Sequence, residues 1–146
     1  MKHLVLTVFI LMASFSAAIS QSVVKTGPQA GLQNYFDATS KKQPYELTKQ
    51  ELAKIFTPEL VAARSADSTW PNMPTGRMKD LRIGKFKMEN DSSASVNVNF
   101  LAFPGERRDN LFKFKKVAPD VWRISDVIGK LGKKITWSLL PDPIRP

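Results

Sequence analysis

Hydrophobic residues change their spacing near the middle of the chain. In the first half they recur three and four positions apart, as at Leu32, Tyr35 and Phe36, which places them along one face of an α-helix. Beyond residue 80 they alternate with polar residues, which is typical of strands that bury one face. Helices followed by strands predict an α+β domain, with the helices packed on one face of a sheet.

Before residue 70, the sequence contains residue patterns that begin two or three short helices. The first helix carries the apolar residues named above and ends before Pro44. The second begins at Thr48, because Thr48 and Glu51 have the spacing of a capping box, in which each side chain bonds the other's backbone N–H. The third begins with Pro58, since the missing N–H of a proline costs no hydrogen bond at the first helical position.

The second half predicts an antiparallel meander of about four strands joined by short turns. The alternation of the first strand shifts phase at Gly84, and a glycine at such a shift indicates a bulge. Residues 104–110 are predicted as a connection, and the apolar tail around Trp137 as either a last strand or a short closing helix. The four predicted strands span residues 81–89, 95–103, 111–117 and 121–128.

The alternation also assigns the strand residues to two faces. The face toward the helices is predicted to hold Val96, Val98, Phe100, Phe112, Phe114, Trp122 and Ile124. The opposite face is then polar and basic, and its candidate binding residues are Lys85, Lys87, Lys113, Lys115 and Arg123, beside Asn97 and Asn99. Such a face is either the ordinary solvated side of an antiparallel sheet or a cationic docking surface for an acidic partner.

The N-terminus has the three parts of a secretory signal peptide. Lys2 supplies the positive charge, residues 4–13 form an apolar run, and the small residues Ala18 and Ser20 precede a predicted cleavage site before Gln21. The apolar run is shorter than the ~20 residues that cross a bilayer, and no transmembrane segment is expected after cleavage. We therefore expect a signal peptide over residues 1–20 and one periplasmic or secreted domain over residues 21–146, with its core at about residues 31–140.

Composition narrows the chemistry that this domain can perform. The chain has no cysteine, and its one histidine, His3, lies inside the predicted signal peptide. Disulfides are therefore excluded, and neither a metal site nor a cofactor is expected, because the acidic residues are scattered singly. The net charge of +9 favours anionic partners, either a protein or an envelope component. Nucleic acid is not expected, since secretion removes the chain from that target and no binding motif is present.

Three short segments resemble a known family. They are Phe-Thr-Pro-Glu-Leu at residues 56–60, Trp-Arg-Ile-Ser-Asp-Val at residues 122–127 and Ser-Leu-Leu at residues 138–140, with a linker of tryptophan and prolines after the helices. Together they resemble domain-of-unknown-function family 3828, which comprises bacterial envelope and secreted proteins. The resemblance implies a cystatin-like or nuclear-transport-factor-2-like fold with a curved sheet. It implies no activity, and the lipid anchor of some members is not carried over, because no cysteine is present.

Some enzymes of this wider fold transfer protons with an Asp–Tyr pair in a pocket between the sheet and the helices. The candidates here are Asp126, predicted to share a strand face with Trp122, Ile124 and Ile128, and Tyr35 on the first helix. A carboxylate among apolar groups could act as a base, and a tyrosine hydroxyl could stabilise an oxyanion. The alternative is that Asp126 bonds the backbone near a strand end and Tyr35 belongs to the core.

Two functions follow from these observations. The first is a non-enzymatic binding protein that engages a protein or an anionic envelope component. The second is a small-ligand carrier or a proton-transfer enzyme with a pocket between sheet and helices. A filled interior favours the first function, and an open cavity with Asp126 in its wall favours the second.

Overall fold

The helices lie in the first half of the chain and the strands in the second, as the hydrophobic pattern predicts. The computed structural model describes residues 26–66, 69–103 and 105–140, and the predicted signal peptide lies outside these ranges. Over the described ranges the chain is an α+β domain with three α-helices and an open antiparallel sheet. Its elements are α1 (Pro28–Ala38), α2 (Lys49–Ala53), α3 (Pro58–Ser65), β1 (Arg82–Ile83), β2 (Lys87–Asn90), β3 (Ser93–Ala102), β4 (Glu106–Ala118), β5 (Val121–Leu131) and β6 (Lys134–Ser138).

The helices begin at the predicted signals. At the start of α2, the backbone N–H of Glu51 donates to Thr48 Oγ1 at 3.2 Å, and that of Thr48 donates to Glu51 Oε2 at 2.7 Å. This reciprocal pair confirms the capping box. Pro58 occupies the first position of α3, also as predicted. No helix in the described part of the chain is long and apolar enough to cross a membrane.

The sheet has the strand order β1-β3-β4-β5-β6, and β2 pairs with β3 beside β1. The strands β1 and β2 are the two parts of the predicted first strand, and the break between them begins at Gly84, whose N–H donates to the carbonyl of Asn97 at 2.8 Å. The predicted connection over residues 104–110 is wrong, because β4 already begins at Glu106 and pairs with the end of β3. The apolar tail forms a strand, β6, which pairs with β5.

The core lies between the helices and one face of the sheet, here called the inner face. All seven strand residues predicted to face the helices are buried, which confirms that assignment. The ring of Tyr35 lies 5.4 Å from that of Phe36, 6.1 Å from that of Phe56 and 5.4 Å from that of Phe112, measured between centroids. These aromatic side chains occupy the space in which the enzyme hypothesis requires a pocket.

A bulge in β5 corrects the predicted face of Asp126. Ile124 pairs with Phe114, whereas Asp126 pairs with Lys113, so Ser125 is an extra residue in β5. Directly opposed residues of an antiparallel pair point to the same face. Asp126 therefore lies with Lys113 on the opposite face, here called the outer face. The prediction that Trp122, Ile124, Asp126 and Ile128 share one face is wrong, because the extra residue reverses the alternation after Ile124.

Candidate functional site

The outer face carries most of the predicted basic residues. Lys87 and Lys113 both pair with Ser95, and Lys115 pairs with Ser93 on one side and Arg123 on the other. These pairings bring the four cations of β2, β4 and β5 onto one surface of the sheet, with β3 between β2 and β4. Lys85 is exposed in the break between β1 and β2, next to the same edge of the sheet.

Most of these cations form no ion pair with a described residue. Lys87 lies 3.8 Å from Glu89, and within the described ranges no carboxylate oxygen lies within 4 Å of the charged groups of Lys85, Lys113, Lys115 or Arg123. The Nε of Arg123 is buried and has no hydrogen-bond partner there. Four of the five cations are therefore outside ion pairs among the described residues, on a face that also carries the carboxylates of Glu89 and Asp126.

A depression of about 390 Å³ opens among these residues. Its polar lining combines hydroxyl groups and charges: Glu89, Ser93, Ser95, Lys113, Lys115 and Ser125. Ser95 Oγ donates to Glu89 Oε1 at 3.2 Å, so one carboxylate borders the depression. The alternation of β3 could have predicted that Ser93 and Ser95 lie on the outer face, since they alternate with buried residues. Ser125 lies on this face only because of the bulge.

The two catalytic candidates lie apart. The Asp126 carboxylate is 8% exposed on the outer-face side of β5, where Oδ1 accepts hydrogen bonds from the backbone N–H groups of Val127 at 2.8 Å and Leu140 at 3.0 Å. The hydroxyl of Ser138 donates to both carboxylate oxygens, at 3.0 Å and 2.8 Å. These bonds make Asp126 an anchor for the segment after β6, in agreement with the backbone-bonding alternative.

Tyr35 belongs to the core on the inner-face side. Its hydroxyl donates to the carbonyl of Pro74 at 2.6 Å, and burial raises the pKa of the phenol well above its usual range. The sheet separates Tyr35 from Asp126, so the structure does not assemble the proposed Asp–Tyr pair. Sequence reasoning placed both on one side only because it missed the bulge at Ser125.

A second cavity, here called the end cavity, lies on the inner face beyond the helices. Its volume is about 210 Å³, and its polar and aromatic lining consists of Glu106, Arg108, Asn110, Lys130, Thr136 and Trp137. The sequence did not predict this cavity, because residues 104–110 were predicted as a connection and the tail around Trp137 as either a strand or a helix.

The described residues contain no group of three or more histidine, cysteine, aspartate or glutamate side chains that could hold a metal ion. Comparison of the chain with family models, curated proteins and solved structures gives no match.

Proposed function

We propose that this protein is a secreted or periplasmic binding protein that engages an anionic partner through the outer face and has no catalytic activity. The observation that carries the proposal is the group of cations, most of them outside ion pairs with described residues, around a serine-lined depression. Lysine and arginine supply charge, and the hydroxyl groups supply hydrogen-bond donors for phosphate or carboxylate oxygens. A protein with clustered carboxylates and an envelope lipid with phosphate groups share this chemistry.

The packing of the interior supports binding over catalysis. Aromatic side chains fill the space between helices and sheet, whereas a proton-transfer site would need an open pocket there. The three helices on one face of an antiparallel sheet support our proposal of a cystatin-like or nuclear-transport-factor-2-like fold, and of kinship with family 3828. The periplasmic or secreted location rests on the predicted signal peptide.

A charge-reversal experiment on the mature chain, residues 21–146, tests the proposal. The variant Lys113→Glu/Lys115→Glu changes the outer face, and Lys49→Glu/Lys54→Glu makes the same change in net charge at exposed positions, the first residue of α2 and the residue after its end. Two probes represent the two partners: vesicles that contain phosphatidylglycerol, and poly-L-glutamate. Each basic residue near an anionic surface contributes about 1 kcal/mol, so reversing two should weaken binding at least about tenfold.

The two variants separate a specific surface from a general effect of charge. The proposal predicts that the α2 variant retains binding to at least one probe while the outer-face variant loses it, and that added salt weakens the interaction. Equal losses in the two variants would mean that net charge alone attracts the probes. That result, or no binding of the unmodified protein to either probe, would overturn the proposal.

A further inference from the structure

The end cavity contains a buried polar group without a partner. Asn110 points to the inner face, since it pairs with Val98 on β3 and Gly129 on β5, and it is only 2% exposed. Its side-chain Nδ2 makes no hydrogen bond with any described residue. An unpaired amide of this kind costs about 1–3 kcal/mol, so its presence in a cavity wall requires an explanation. A ligand that accepts a hydrogen bond would supply one.

An aromatic ring forms a neighbouring wall of the same cavity. Trp137 on β6 pairs with Gly129, and a Cβ atom at Gly129 would lie 2.2 Å from Nε1 and Cε2 of the indole. The absence of a side chain at Gly129 therefore allows the ring to lie directly on β5. The indole N–H has no hydrogen-bond partner among the residues described, so it is a second donor beside Asn110.

The rim carries both signs of charge. Arg108 and Glu106 approach to 3.6 Å, and both side chains remain partly accessible. A guanidinium and a carboxylate offer donors and acceptors together, which suits hydroxyl groups because these both donate and accept. Lys130 also lines the cavity, so its charged groups are two cations and one carboxylate, and Glu106 adds acceptors that a purely cationic anion site lacks. An apolar ligand would leave the Asn110 amide unpaired.

We propose that the end cavity binds a single saccharide ring. A pyranose has an apolar C–H surface for the indole of Trp137 and peripheral hydroxyl groups for Asn110 and the charged rim. The volume of about 210 Å³ is far more than one bridging water requires. This site lies on the inner face and is independent of the outer-face docking proposed above, so each proposal can fail without the other.

Nuclear magnetic resonance of the ¹⁵N-labelled mature chain tests the site directly. The probes are the methyl glycosides of glucose, N-acetylglucosamine and glucuronic acid, and sorbitol serves as an acyclic polyol with similar hydroxyl groups. We expect at least one glycoside to shift the Asn110 Nδ2–H and Trp137 Nε1–H signals saturably, with a Kd in about the millimolar range for so small a ligand. Sorbitol should produce no saturable shift.

A matched pair of variants assigns the binding to this cavity. Asn110→Leu keeps a similar volume and removes the amide, so binding of the glycoside should weaken at least about tenfold while the fold is retained. Asn97→Leu makes the same chemical change on the exposed outer face and should leave the affinity unchanged. If Asn110→Leu fails to fold, Trp137→Phe removes the indole N–H and should weaken binding while Asn110 stays in place.

Two results would overturn the proposal. One is the absence of a saturable shift with all three glycosides, which would mean that only water occupies the cavity. The other is an unchanged affinity of a folded Asn110→Leu variant, which would place the saccharide elsewhere on the protein.

Discussion

Removal of the Asp126 carboxylate tests how the end of the described chain is held. The carboxylate accepts hydrogen bonds from two backbone N–H groups, those of Val127 and Leu140, and from the hydroxyl of Ser138. Substitution by alanine leaves all three donors without this acceptor. Because Val127 is fully buried, water cannot replace the carboxylate at its N–H without a change in the local structure.

The magnitude follows from these contacts. A hydrogen bond to a charged group contributes about 1.5–3 kcal/mol, and the partly exposed Ser138 and Leu140 can recover part of this from water. We therefore expect Asp126→Ala to lower the free energy of unfolding by about 3 kcal/mol. Asp126→Asn should cost only about 1 kcal/mol, because the amide oxygen still accepts from both backbone groups. At about 4 °C per kcal/mol, the alanine variant should lose about 12 °C in Tm.

Urea denaturation followed by tryptophan fluorescence measures both losses, and amide hydrogen exchange locates them. Exchange at Val127 and Leu140 should accelerate in Asp126→Ala and change little in Asp126→Asn. Asp91→Ala is the control, since Asp91 is exposed in the β2–β3 turn and bonds no described residue. A loss below about 1 kcal/mol in Asp126→Ala would refute the anchoring argument. Equal losses in the alanine and asparagine variants would assign the effect to charge instead.

Two further changes test the core and the packing of β5. Tyr35→Phe should lower the free energy of unfolding by about 1–2 kcal/mol at neutral pH, because it leaves the buried carbonyl of Pro74 without its donor. Burial raises the pKa of Tyr35, so its stabilising contribution is complete below the unfolded value near pH 10 and falls above it by about 1.4 kcal/mol per pH unit. Urea denaturation from pH 8 to 11 should therefore show the gap between wild type and Tyr35→Phe narrowing above about pH 10, and a constant gap would contradict the shift. Gly129→Ala should destabilise by about 1–3 kcal/mol in the same assay, because the new Cβ displaces the indole of Trp137, and a neutral effect would show that the ring moves freely.

The sequence was sufficient for features that depend on local signals. The capping box at Thr48 and the proline start of α3 need only neighbouring residues, and both lie where they were predicted. The inner face of the sheet followed from alternation, because the seven apolar residues assigned to it, in three of the four predicted strands, are all buried. Gly84 indicated an irregularity in the edge strand, but the predicted bulge is instead an interruption over residues 84–86 that divides the strand into β1 and β2.

Features that depend on pairing between strands could not be predicted from local sequence signals. Residues 106–110 are charged and polar, and they form a strand only because the end of β3 offers them hydrogen-bond partners. The bulge at Ser125 has no glycine and no break in polarity, so the alternation through Trp122, Ile124 and Asp126 looked continuous. The error in the face of Asp126 and the false Asp–Tyr pair both come from this one residue.

The same bulge connects the two proposed binding surfaces. It places Ser125 in the outer depression and brings Asp126 to Ser138 at the end of β6. Trp137, the preceding residue of β6, forms a wall of the end cavity on the other face. The hydrogen bonds of Asp126 therefore fix the strand on which the indole depends for its position. The carboxylate that looked catalytic in the sequence acts through backbone geometry, and its role in either binding surface is that of a positioning residue.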